Sequence, residues 1–214
     1  MSEVRELAGR AQKAAVALAN TSTDQRNRAL LAMAHALVSR QDEILEANAR
    51  DMEAARVKNT GASLLDRLEL NPMRIKAISE ALKSLSVLPD PIGEVVSGGR
   101  LGNGIWLQQV RVPIGVVAII YEARPNVTAD AAGLCIKTGN AVVLRGGSLA
   151  VESNLAITKV PPGGSIRIVS APSSARRDEQ KHPAMLRELK SNTTKSSRAS
   201  GFSKFFAGSS SDRT

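Results

Sequence analysis

Two short polar clusters in this chain combine residue type and spacing in a way that points to chemistry: Glu122-Ala123-Arg124-Pro125-Asn126 and Arg145-Gly146-Gly147. Each follows an apolar run, Val116–Tyr121 and Ala141–Leu144, and the two clusters bracket a stretch with helical spacing. Proline pushes the residue before it into extended geometry. The Asn126 side-chain oxygen suits the cap of the helix that follows. Read from these residues alone, the first cluster is a strand-to-helix turn with a cap. In the second cluster, two glycines permit close backbone approach, and an arginine pairs bidentately with phosphate. The same three residues also describe an ordinary strand-to-helix turn with a solvated arginine, and both alternatives stay open at this point.

The other reactive residue types read as structure. Cys135, the single cysteine, sits between Leu134 and Ile136 on an apolar helical stripe. A thiol in such surroundings has a raised pKa and little reactivity. Lys137-Thr138-Gly139-Asn140 reads as a helix end, with Gly139 and Asn140 able to take positive φ and Lys137 complementing the helix C-terminus. His35 and His182 have no metal-ligand spacing to the cysteine or to each other, so no metal site is expected. A GxGxxG fingerprint and a nucleophile elbow are both absent from the sequence.

The elements that must hold these clusters follow from periodicity. Helices are expected from about Glu3 to Ala19, with Val4, Leu7, Ala11, Ala14, Ala15 and Leu18 inward. A second follows the cap candidates Ser22 and Thr23 and buries Leu30, Leu31, Ala34, Leu37 and Val38. A third runs from about Asp42 to Val57, ended by Asn59-Thr60-Gly61. A fourth starts at Asn71-Pro72 and buries Ile75, Ile78, Leu82 and Leu85. Residues 92–113 read as a β-hairpin arm around the Gly-rich turn 97–104. Val116–Tyr121 is apolar enough for a parallel strand covered on both faces. Asn126–Lys137 is the crossover helix, with Val127, Ala131, Leu134 and Cys135 on one stripe, and Ala141–Leu144 is the second strand of a βαβ unit. Another helix starts in Ser148–Val160. The fold class is α/β.

Charge divides the chain. Residues 1–160 carry 19 Lys and Arg against 16 Asp and Glu, whereas residues 161–214 carry 10 against 4. The basic net charge of +9 is therefore mainly a property of the last quarter, which also holds 12 serines and all three phenylalanines. Such a composition reads as a disordered tail, and its abrupt onset matches what a frameshift or splicing error leaves. One cysteine rules out an internal disulfide framework. With neither a signal-like N-terminus nor a run of about 20 apolar residues, a cytoplasmic protein with no membrane partner is expected. Phe202, Phe205 and Phe206 among basic residues raise nucleic-acid binding as a weaker alternative; no nucleic-acid partner is expected.

YEARPNVTAD and KTGNAVVLRGG resemble the γ-glutamyl phosphate reductases (glutamate-5-semialdehyde dehydrogenases), a branch of the aldehyde dehydrogenase superfamily, and the resemblance covers about residues 1–160. It implies an incomplete cofactor domain made of N-terminal helices, the hairpin arm and the first βαβ unit. It also implies an oxidoreductase of proline biosynthesis that reduces γ-glutamyl phosphate with NADPH. By resemblance, Asn126 helps hold the oxyanion, and Arg145, Gly146 and Gly147 line the adenosine-ribose pocket. An arginine there fits the 2′-phosphate of NADP better than the bare hydroxyl of NAD. The family's nucleophile lies downstream of the matched segment, so an inactive chain is expected. A non-catalytic partner that pairs with a full-length relative, through an arm that serves homo-oligomers, is the alternative.

Overall fold

The structure, a computed structural model, describes residues 3–159 and 169–170. The readings made above for His182 and for most of residues 161–214 lie outside the described residues. Five helices come first: α1 (Glu3–Ala19), α2 (Thr23–Ser39), α3 (Gln41–Val57), α4 (Ala62–Leu68) and α5 (Pro72–Val87). The antiparallel pair β1 (Val95–Arg100) and β2 (Trp106–Val110) follows. Then come β3 (Val116–Ile120), α6 (Pro125–Lys137), β4 (Ala141–Arg145), α7 (Val151–Thr158) and β5 (Val169–Ser170).

The helix starts are built locally. Ser22 closes a capping box with Gln25: its Oγ accepts from the Gln25 backbone N–H at 3.2 Å, and Gln25 Oε1 accepts from the Ser22 N–H at 2.8 Å. Asn71 caps α5 through Oδ1 and the Arg74 N–H at 2.8 Å, with Pro72 in the first turn. Caps of this kind contribute about 1 kcal/mol each. Asn59 ends α3 in the left-handed region at φ 52°, which asparagine tolerates better than branched residues.

β3, β4 and β5 form a parallel sheet in that order, with Val116 opposite Ala141 and Ile120 opposite Arg145. The central strand β4 is buried, and its residues alternate between two helical layers. Val142 and Leu144 face the main core, with Leu30, Ile75, Leu82, Ala132 and Ile157. Val143 faces Leu7 and Ala11 of α1. Each fully buried Leu or Ile contributes roughly 1.5–3 kcal/mol. On α6, Gly133 marks a close crossing with α5, since a Cβ there would sit 2.5 Å from Leu82 Cδ2.

Several expectations need correction. β3 is an edge strand in the described sheet and is only half-buried, with Ile120 43% exposed, because it pairs on one side alone and α1 reaches mainly Val116. On α2 the buried stripe is Leu30, Met33, Ala34 and Leu37, while Leu31 and Val38 are exposed. One residue is about 100° of helix rotation, enough to carry both off the stripe. For the same reason Leu134 is 55% exposed while Cys135 beside it is 6% exposed. The short helix α4 was not expected from the sequence. Nor was β5, two residues inside the stretch read as a tail, which pair in parallel with Val143 and Leu144. The hairpin arm stands where expected, both strands exposed, with a bulge between Val95 and Ser97.

Candidate active site

The parallel register brings the carboxyl ends of β3 and β4 level, and the two clusters follow directly from them. The Tyr121 N–H donates to the Arg145 carbonyl at 3.1 Å, continuing the ladder one step past the strands. The chain then turns at Glu122–Arg124, where the Arg124 N–H donates to the Glu122 carbonyl at 2.9 Å. Ligand sites in open α/β sheets favour this end of the strands.

Asn126 is not the cap. Helix α6 starts at Pro125, with Arg124 at the cap position in extended geometry and no side-chain cap bond. Proline already supplies the helical φ and needs no partner for a missing N–H, which moves the start one residue upstream of the expectation. Asn126 therefore lies inside the first turn, half-buried, with Nδ2 donating to Asp130 Oδ2 at 3.2 Å. Burial pushes the Asp130 carboxyl up, and the Asn126 bond opposes that shift. One amide proton is thus engaged, and an amide has two.

The glycines of the second cluster seat protein against protein. A Cβ at Gly146 would overlap Asn154 Nδ2, and one at Gly147 would lie 3.1 Å from the Ala123 nitrogen. The close approach they permit is therefore to the neighbouring turn and to α7. Below them, Thr128 donates to Asn154 Oδ1 at 2.9 Å, so the Tyr121 phenol supplies the proton of its 2.6 Å bond with Thr128. Burial pushes the phenol pKa up. Arg145 is half-buried at the end of β4. An arginine at the carboxyl end of a parallel strand has the right chemistry for a dinucleotide phosphate, so it fits the cofactor that the resemblance implies.

α7 is anchored from α3. Asp51 accepts from the Ser153 N–H at 2.8 Å, from Ser153 Oγ at 2.7 Å and from the Glu152 N–H at 3.2 Å. Asn48 ties the same serine to the Leu68 carbonyl and the Leu70 N–H. This buried network fixes α4 and the start of α5 relative to the sheet.

The anchoring matters because α4 and α5 form the far wall of a cleft of about 350 Å³ that includes Asn126 and Arg124. Leu70 and Ile78 supply apolar surface, and Asp66, Arg67, Glu69 and Arg74 the remaining polar groups. Arg74 is fixed: its terminal nitrogens donate to the Glu69 carbonyl at 2.7 Å, to Asp66 Oδ1 at 2.7 Å and to the Asp66 carbonyl. Arg67 lies 4.0 Å from Glu122. Arg145, Gly146 and Gly147 do not line this cleft. Sequence reasoning missed Arg67 and Arg74, because a short helix and a helix start far upstream carry no local sign of facing residue 126. Arg124 lay inside the quoted cluster and was given no role.

Cys135 is a buried core residue whose thiol burial pushes up. Lys137 does not serve the end of its own helix. It is 3% exposed and donates to Asn27 Oδ1 at 2.8 Å and the Ser86 carbonyl at 3.0 Å. Gly139 takes positive φ as expected, at 69°, and Asn140 does not. Instead Asn140 Oδ1 accepts from the Gly115 N–H at 2.8 Å, tying the helix end to the start of β3. Among the described residues no three His, Cys, Asp or Glu side chains are placed to hold a metal ion, and no helix is long and apolar enough to cross a membrane.

Comparison with known proteins agrees with this geometry. The aldehyde dehydrogenase family model matches residues 1–161. Gamma-glutamyl phosphate reductase from Heliobacterium modesticaldum is 58% identical over 158 residues, 74% of this chain and 38% of that protein. The enzyme of the same name from Xylella fastidiosa is 50% identical over 175 residues, 82% of this chain and 41% of the other, so that match is longer than the 160 residues read from the sequence. The chain thus spans about two-fifths of the length of these curated relatives. A crystal structure of gamma-glutamyl phosphate reductase from Thermotoga maritima superposes with a TM-score of 0.74 at 40% identity, covering 78% of this chain and 43% of that one. The Saccharomyces cerevisiae counterpart gives 0.75 at 30% identity, covering 85% and 50%. By sequence and by fold, the chain belongs to the aldehyde dehydrogenase family, and its similarity to gamma-glutamyl phosphate reductases runs through both polar clusters at the carboxyl ends of β3 and β4.

Proposed function

We propose that this chain carries the cofactor-side part of a γ-glutamyl phosphate reductase, acting with NADPH to give glutamate-5-semialdehyde and phosphate in proline biosynthesis in the cytoplasm. The observation that carries the reading is that Arg145 ends β4 level with the end of β3, whose following turn leads into the first turn of α6 with Asn126, in a chain 58% identical over 158 residues to an enzyme of that name. In this reading Asn126 donates its second amide proton to the oxyanion that forms when the acyl carbon is attacked. Arg145 holds the adenosine 2′-phosphate, while Gly146 and Gly147 set the turn that positions it. NADPH, when bound, supplies the hydride. The attacking thiolate does not come from Cys135, which is buried and whose pKa is raised, so this chain alone does not turn over.

Titration with NADP and NAD, followed through backbone amide resonances of residues 121–126 and 145–150, tests the cofactor assignment. Shifts selective for NADP and lost in Arg145→Ala support it. Equal responses to both dinucleotides remove Arg145 from the site.

The hairpin arm favours a second reading, in which the chain pairs with another copy or a full-length relative. Both strands are exposed, and Trp106 is 72% exposed. An isolated two-stranded hairpin is marginal in water. Co-purification with a relative that is lost on deletion of residues 95–110 is the expected result.

A further inference from the structure

The cleft beside Asn126 holds more positive charge than the proposed roles use. Of its three guanidinium groups, Arg74 is locked by Asp66 and the Glu69 carbonyl. The other two are available. Among the described residues Arg124 has no side-chain partner. Arg67 has only the 4.0 Å pair with Glu122, whose side chain is 78% exposed. Surface pairs of that kind are worth roughly 0–1 kcal/mol and exchange readily for a better anion. Asp66 is neutralised by Arg74, which leaves the Glu69 carboxylate as the one adverse charge on the lining.

We propose that Arg124 and Arg67 form a phosphoryl subsite that holds the leaving phosphate of an acyl phosphate whose carbonyl oxygen faces Asn126. The proposal rests on the reductase reading for the identity of the substrate. Chemistry decides which end of the substrate sits there. The phosphorus of an acyl phosphate is two bonds from the acyl carbon, whereas an α-carboxylate of a glutamyl chain is four bonds away. Arg124 is two residues from Asn126 in the same turn and lines the same cleft, so the nearer group is the one it meets. A guanidinium fork matches two phosphoryl oxygens at once. Such a contact binds the substrate's phosphate and, after its release, free inorganic phosphate.

The test uses the full chain and three probes: inorganic phosphate, methylphosphonate and L-glutamate. Binding is read from resonances of the Arg124 and Arg67 side chains and the Asn126 amide. Phosphate and methylphosphonate should give saturable shifts at these positions, and L-glutamate none. Arg124→Ala should weaken phosphate about tenfold, the loss of one charge-assisted contact, and Arg124→Gln should do the same with the side-chain volume kept. Glu69→Gln should tighten binding by removing the opposing charge. Arg28→Ala, on the exposed face of α2, should change nothing. Phosphate binding unaffected by both Arg124 variants, no saturable shift, or a response to L-glutamate instead of phosphate overturns the subsite. The NADP titration at Arg145 separates this from the cofactor reading: an Arg124-dependent phosphate response without an NADP response keeps the subsite and removes the cofactor, and the reverse pattern removes the subsite alone.

Discussion

Asn126 Nδ2 donates to Asp130 Oδ2 across one turn of α6, so the proposed oxyanion donor is aimed by a carboxyl group that burial disfavours as an anion. A carboxyl whose pKa is higher in the folded than in the unfolded state supports folding at pH below its unfolded value. It loses that contribution as pH rises through the folded value.

Asp130→Asn removes the titration while keeping an acceptor for Asn126. Its stability, measured by urea unfolding, should vary less than that of the parent as pH rises out of the ordinary carboxylate range, and at neutral pH it should be at least as stable. Asp130→Ala should release the Asn126 side-chain amide, seen as faster proton exchange. A parent curve that rises steadily with pH through that range would contradict the assigned direction.

Cys135 should behave as core. An aromatic disulfide reagent should modify it only at the rate of unfolding, because the thiol is buried and its pKa raised. Phosphate-dependent oxidation of glutamate-5-semialdehyde with NADP by this chain should stay at background in the parent and in Cys135→Ser. Activity abolished by that substitution would make Cys135 a nucleophile.

Gly133→Ala sets helix propensity against packing. The substitution gains up to about 1 kcal/mol from propensity, but its Cβ would sit 2.5 Å from Leu82 Cδ2. Overpacking costs about 1–3 kcal/mol, so a net loss on the order of 1 kcal/mol is expected in thermal unfolding. In a Leu82→Ala background the same change should stabilise, since the 2.5 Å overlap is gone and the next methyl, Leu85 Cδ2 at 3.3 Å, has the vacated space to move into.

Gly146→Ala should destabilise by about 1–3 kcal/mol through overlap with Asn154. Gly147→Ala should be milder, its nearest neighbours being the backbone of Glu122 and Ala123 at 3.1 Å. Chemical denaturation ranks the two. The opposite order would mean that the turn yields more easily toward α7 than toward β3.

What the sequence showed depended on how local each signal was. The cap at Ser22, the Asn71-Pro72 start and the βαβ unit are written within a few neighbouring residues, and all three appear in the structure. The placement of Asn126 at the cap failed by two residues, because Pro125 and Asn126 both suit a helix start and only the backbone shows that Pro125 takes the first helical position and Arg124 the cap. Leu31, Val38 and Leu134 failed because apolar type does not fix rotation about a helix when a neighbouring residue fills the inward position. The cleft was invisible for a different reason. Arg67 and Arg74 reach the neighbourhood of residue 126 through the tertiary contacts that Asn48 and Asp51 hold together, and no spacing rule spans such a distance.

Lys137 has a practical consequence. Its ammonium is enclosed by Asn27 of α2 and the Ser86 carbonyl of α5, and desolvation lowers its pKa, with Asp90 opposing and Arg26 adding to the shift. It is the one lysine among the buried polar residues described. Amine-reactive reagents should therefore label the exposed lysines of the native chain and leave this one untouched until α2, α5 and α6 separate. A mass spectrum taken through a denaturant series would then count intact molecules directly, with a single side chain as the clock of core opening.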